Sequence, residues 1–142
     1  MTMPPTTRAA ILLTAGLLCT TAQANTGDIR CFQSPGVGKP LRLEFGFSPE
    51  GSKAAYVRYE NGSANIPLKL IKSDAVETAP GRPMEITSTW KEMMPGGGTY
   101  TVVSQGANVY GFTYIRAKDG KAYQFEQDLE AWEEGGCRWT RR

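Results

Sequence analysis

The sequence predicts an all-β fold, a small antiparallel up-and-down barrel of about eight strands. Three observations predict it. No segment carries an apolar 3.6-residue period long enough for a core helix, although residues 75–79 have room for a single turn. Runs that alternate apolar and polar side chains recur about every 8 to 12 residues, separated by Gly, Pro and Asn. The connections are mostly short, so neighbouring runs pair locally, and local pairing favours a barrel over a sandwich.

The elements follow in order. Residues 41–47 set Leu41, Leu43, Phe45 and Phe47 against Arg42, Glu44 and Gly46, the pattern of a half-buried strand. Residues 55–60 put Val57 and Tyr59 on one face and Tyr56 and Arg58 on the other. Asn61 and Gly62 then supply the dipeptide that best tolerates the positive φ angles of a tight hairpin. Ile66, Leu68 and Leu70 alternate with Pro67 and Lys69, and the proline marks an edge or a bulge because it has no N–H to donate. Residues 73–83 lose the alternation and are polar and rich in Pro and Gly. A long exposed connection is expected there.

Met84, Ile86, Ser88 and Trp90 restore a strand, and residues 92–98 form a turn with three consecutive glycines. Residues 99–128 hold three strand-like runs joined by two projecting turns, 105–108 and 118–120. A short final strand or loop then leads to Cys137.

The chain ends narrow the class of protein. Arg8 precedes an apolar run that closes on Ala22, Gln23 and Ala24, a small-x-small cleavage site, so residues 1–24 read as a secretory signal removed after Ala24. The run is too short and too interrupted for a membrane anchor. The expectation is a periplasmic protein of one domain, residues 25–142. Formal net charge is +2 over the whole chain and one unit less without Arg8, so no global field recruits nucleic acid or an anionic membrane. Cys31 and Cys137 remain after processing, which in an exported chain is most simply one disulfide joining the two ends. Two buried thiols or a metal pair are the alternatives.

Histidine is absent, which removes the usual general base, the usual triad partner and the commonest metal ligand together. The reading is therefore not an enzyme, with no cofactor and no metal. The acidic residues Glu126, Asp128, Glu130, Glu133 and Glu134 are expected on a solvated face rather than as an acid–base pair. The aromatics Tyr100, Tyr110, Phe112, Tyr114, Tyr123 and Phe125 are expected to pack the core rather than stack nucleobases.

The two projecting turns carry the sharper signal. Ser104, Gly106, Ala107 and Tyr110 make one element; Tyr114, Lys118 and Gly120 make another. Together they resemble the Ser-Gly-x-x-Tyr and Tyr-x-x-x-Thr-Lys-Gly elements of the periplasmic and membrane-bound inhibitors of c-type lysozyme. Gln105 separates Ser104 from Gly106, Ala117 stands in place of the Thr, and Asp119 separates Lys118 from Gly120. The even cysteine pair goes with an oxidised monomer, and the resemblance implies an eight-stranded barrel closed by a disulfide, acting on a lysozyme or other peptidoglycan hydrolase. In that reading Ser104 supplies a hydroxyl and Lys118 a cation, which together fill a cleft holding two carboxylates. The alternatives are a periplasmic immunity protein against a cell-wall-degrading toxin, using the same turns, and a small-ligand carrier with a hollow barrel.

Overall fold

The computed structural model describes residues 28–47, 53–62 and 64–139. The expected signal segment and its cleavage site lie outside the described residues.

Eight strands close into an antiparallel barrel in sequence order: β1 (Ile29–Gln33), β2 (Arg42–Phe47), β3 (Ala54–Tyr59), β4 (Ile66–Val76), β5 (Glu85–Glu92), β6 (Thr99–Gln105), β7 (Asn108–Ile115) and β8 (Ala122–Gln127). The predicted up-and-down barrel is thus the observed fold. Alternation explains the wall. Leu43, Phe45, Val57, Leu68, Trp90, Tyr100, Val102, Phe112 and Phe125 all point to the axis and are buried in one cluster. Phe112 sits at its centre, stacked on Phe32 at 4.1 Å between ring centroids and edge-on to Phe45 and Phe125, each at 5.6 Å.

The segment after β8 is built on Asp128, whose carboxylate accepts from the Ala131 N–H and caps a 3-10 turn, Leu129–Ala131. A small hairpin follows, β9 (Trp132–Glu133) with β10 (Gly136–Cys137). Cys137 is bonded to Cys31 of β1, with Cα atoms 5.8 Å apart. The predicted disulfide therefore straps this hairpin to the outside of the barrel.

Three expectations need correction. Residues 73–76 are not loop but the upper half of β4, pairing through Ser73↔Ser88 to Val76↔Glu85. The alternation vanished because β4 and β5 rise past the core there, so the ladder is held by backbone hydrogen bonds without apolar burial. Residues 75–79 correspondingly form strand and connection, not a helical turn. Between β3 and β4 the chain takes a connection from Glu60 to Asn65 rather than a two-residue hairpin turn, with Gly62 N–H donating to the Tyr59 carbonyl.

Glu44 is the third. Alternation put it on the solvent face, yet it is buried. Tyr56 crosses the bare outer face of Gly46, where a Cβ would collide with its ring, and donates its hydroxyl to Glu44 Oε1 at 2.6 Å. The Cys137 N–H donates to Glu44 Oε2 at 3.0 Å. The strap covers this side chain and is hydrogen-bonded to it, which satisfies an otherwise costly buried polar group.

Candidate functional site

Successive turns of an up-and-down barrel lie at opposite ends. The 106–107 turn between β6 and β7 lies beside the start of β1, where Arg30 Nη1 donates to the Ala107 carbonyl at 3.1 Å. The 116–121 turn between β7 and β8 lies at the other end. The two are separated by the length of β7, about 25 Å at the usual strand rise. Ser104, Gly106 and Tyr110 therefore belong to one end, and Tyr114, Lys118 and Gly120 to the other; the six do not form one site.

The first group is partly withdrawn. Ser104 is half-buried in the wall. Gln105 ties the turn to the β4–β5 connection, donating to Thr78 Oγ1 at 2.7 Å and to the Pro83 carbonyl at 2.9 Å. Tyr110, expected in the core, lies on the outside with its hydroxyl on Glu85. A bulge between Val103 and Ser104 breaks the register here and turns Tyr110 out while Phe112 stays in.

The second group stands at a developed mouth. A cavity of about 420 Å³ is lined by Leu41, Tyr59, Ile66, Glu92, Tyr114, Arg116 and Tyr123. Its floor is a hydrogen-bonded chain. Tyr59 and Tyr100 share a bond of 2.8 Å between hydroxyls, Tyr100 donates to Glu92 Oε1 at 3.0 Å, and the Gly98 N–H donates to Glu92 Oε2 at 2.8 Å. Gly98 is required by close approach: a Cβ there would collide with the Ile115 carbonyl and the Tyr114 ring. Tyr114 stacks between Tyr100 and Tyr123, and Arg116 and Lys121 both lie over the Tyr123 ring.

The turn beside this mouth is rigid. Arg116 Nε donates to Asp119 Oδ1 at 3.0 Å, and the same oxygen accepts from the Lys121 N–H at 3.1 Å. The Gly120 N–H closes onto the Arg116 carbonyl at 2.9 Å, with Gly120 at φ 68°, where an L side chain would be strained. The Arg116 guanidinium, helped by the Lys121 N–H, holds the Asp119 carboxyl down to about 2. Its contribution to the turn is present above the ordinary carboxylate value and fades only as pH falls through about 2. Lys118 projects from this turn, exposed and in no ion pair among the described residues.

Burial makes the tyrosine chain sensitive to alkali. Desolvation is the main cause that pushes Tyr59 up to about 12 and also raises Tyr100. A phenol whose folded value is raised contributes stability fully below its ordinary value of 10 and loses it as pH climbs through about 12. The Tyr59 shift corresponds to about 3 kcal/mol. Urea unfolding between pH 9 and pH 12, followed beside tyrosinate absorbance, is expected to register this loss. Ionisation of all six tyrosines at the ordinary value would contradict it.

Sequence reading named Tyr114, Lys118 and Gly120 at this end and did not name Glu92, Tyr59 or the 93–98 turn. A signal was present: Gly97-Gly98-Thr99-Tyr100 repeats the Gly-x-x-Tyr spacing, with Gly96 in the Ser place, in the turn that does share an end with Lys118. No described group of His, Cys, Asp and Glu has the makings of a metal site. Compared with known proteins, the chain matches no family model, no curated protein and no solved structure.

Proposed function

We propose that the chain is an exported inhibitor of a lysozyme or similar muramidase, which presents the β7–β8 end of its barrel to the target cleft. Lys118 carries the reading: a cation in no ion pair among the described residues, on a turn already locked by Arg116, Asp119 and Gly120. Rigidity before binding lowers the ordering cost of association. Lys39, Arg116, Lys118 and Lys121 at this end outnumber the carboxylates of Glu60, Glu92 and Asp119, a charge balance suited to an acidic cleft. The resemblance to lysozyme inhibitors gives the target class. The strapping disulfide supports an oxidising compartment such as the periplasm.

The geometry changes one part of the expectation. Ser104 is too far from Lys118 for both to enter one cleft, so the 93–98 turn replaces it as the neighbour of Lys118. An immunity protein against a cell-wall-degrading toxin would use the same surface. The carrier reading is disfavoured by a barrel axis packed with Phe45, Trp90, Tyr100 and Phe112.

The test is retention of lysozymes and cell-wall hydrolases on the immobilised chain, then inhibition titrations of the retained enzyme. Lys118→Ala is expected to weaken inhibition about 30-fold to a few thousand-fold, the effect of stripping one partner from a desolvated charge pair at roughly 2 to 5 kcal/mol. Lys53→Ala and Lys69→Ala, exposed elsewhere, are expected to cost under about 1 kcal/mol. Ser104→Ala is expected to be silent. Equal losses at all four positions, or retention of no hydrolase, overturn the proposal.

A further inference from the structure

Among the described residues, the upper half of β4 has one edge that no strand pairs with. On one side it pairs with β5 from Lys72↔Thr89 to Val76↔Glu85. On the other, pairing with β3 stops at Ala54↔Lys69, and the Leu70 N–H donates to the Lys53 carbonyl as the last bond of that ladder. Among the described residues nothing pairs with the outer edge of 71–76, and all six are exposed. The bulge between Leu70 and Lys72 turns Ile71 to the outer face beside Lys72, so the outer face reads Ile71, Lys72, Asp74, Val76. Ile71 and Val76 are 56% and 58% exposed.

An exposed edge is a template for another strand, and natural edges usually blunt it with charged side chains, proline or a bulge. This edge carries both signs. Lys72 and Asp74 stand two residues apart on one face, with Nζ and Oδ2 at 2.9 Å. We propose that this edge pairs with the same edge of a second copy of the chain, antiparallel about a two-fold axis at Ser73. A two-fold axis normal to the sheet keeps outer face on outer face, so it must pass through a residue, and charge chooses which. An axis at Lys72 sets lysine against lysine; an axis at Asp74 sets aspartate against aspartate. The axis at Ser73 sets Lys72 opposite Asp74 of the other copy, twice, with Ser73 facing its own equivalent.

The contact is isologous and closes at two copies, because the two-fold axis uses the same edge of each. It joins the two barrel walls into a continuous sheet on the flank, leaving the mouth beside Lys118 open on both copies. The expectation of a monomer rests on the even cysteine pair, and residues 73–83 read as loop offer no edge to set against it.

Sedimentation equilibrium on the chain from residue 25 onward, which holds the whole barrel, tests this. The mass is expected to move from one chain toward two between about 1 µM and 1 mM, the range of a short strand-edge contact. Asp74→Lys or Lys72→Asp each sets like charges across the axis twice and is expected to raise the dissociation constant about tenfold or more. The double exchange K72D/D74K restores opposite charges and is expected to bring it back within about threefold of the parent. All three variants change exposed side chains, and unchanged melting curves will confirm that folding is intact. One chain mass at every concentration overturns the proposal. So does a dimer indifferent to the single exchanges, or one weakened by them and not restored by the double.

Discussion

Phe112→Ala is expected to destabilise the barrel by about 3 to 5 kcal/mol, the usual range for removing a buried phenylalanine. Its ring touches Phe32, Phe45, Tyr100 and Phe125, which come from four different strands. No one of them can move into the space without leaving its own ladder, so the cavity should persist and the cost should fall toward the upper end. Urea denaturation read by tryptophan fluorescence measures it, since Trp90 lies edge-on to Phe45 in the same cluster. A loss under about 1 kcal/mol would mean that the core collapses to fill the gap.

Joint replacement of Cys31 and Cys137 by Ala is expected to cost about 2 to 5 kcal/mol. The bridge closes 106 residues of chain, and in the chain-entropy account a loop near that length is worth about 4.7 kcal/mol. A local effect should accompany the global one. The Cys137 N–H bonded to Glu44 should lose protection from hydrogen exchange well before the amides of β5, β6 and β7. Denaturation of parent and variant, together with exchange at residue 137, separates the two contributions. Equal stability would show that the strap holds by packing and hydrogen bonds alone.

What the sequence revealed and concealed follows from what alternation records. Leu43, Phe45, Val57, Tyr100 and Phe112 were legible because an inward position must be apolar. Ser73 and Asp74 were not, because a ladder held clear of the core leaves no apolar trace. Glu44 was misread because the strap that buries it lies 93 residues away in sequence, beyond any local pattern. Tyr110 was misplaced by one bulge, which reverses every side chain beyond it until the register recovers. Assigning Ser104 and Lys118 to one site was an avoidable error, since a meander sends consecutive turns to opposite ends by construction. Lys118 was legible as an exposed turn cation because it stands beside Asp119 and Gly120 in a short connection.

The closure of the barrel bears on how the chain folds. Every ladder but one joins neighbours in sequence, so most of the sheet can assemble by successive hairpins with short loops to close. The exception is the seam between β1 and β8, where the register gives Phe32↔Gln127 and Gln33↔Glu126, continued by the Asp128 N–H on the Cys31 carbonyl. This short seam must bring together residues 95 positions apart, from Phe32 to Gln127, and its few hydrogen bonds repay little of that loss. The cystine lies immediately beside it. In an oxidised chain the two edges are held within reach before they pair, and the slowest ladder to find its partner becomes nearly as local as the rest.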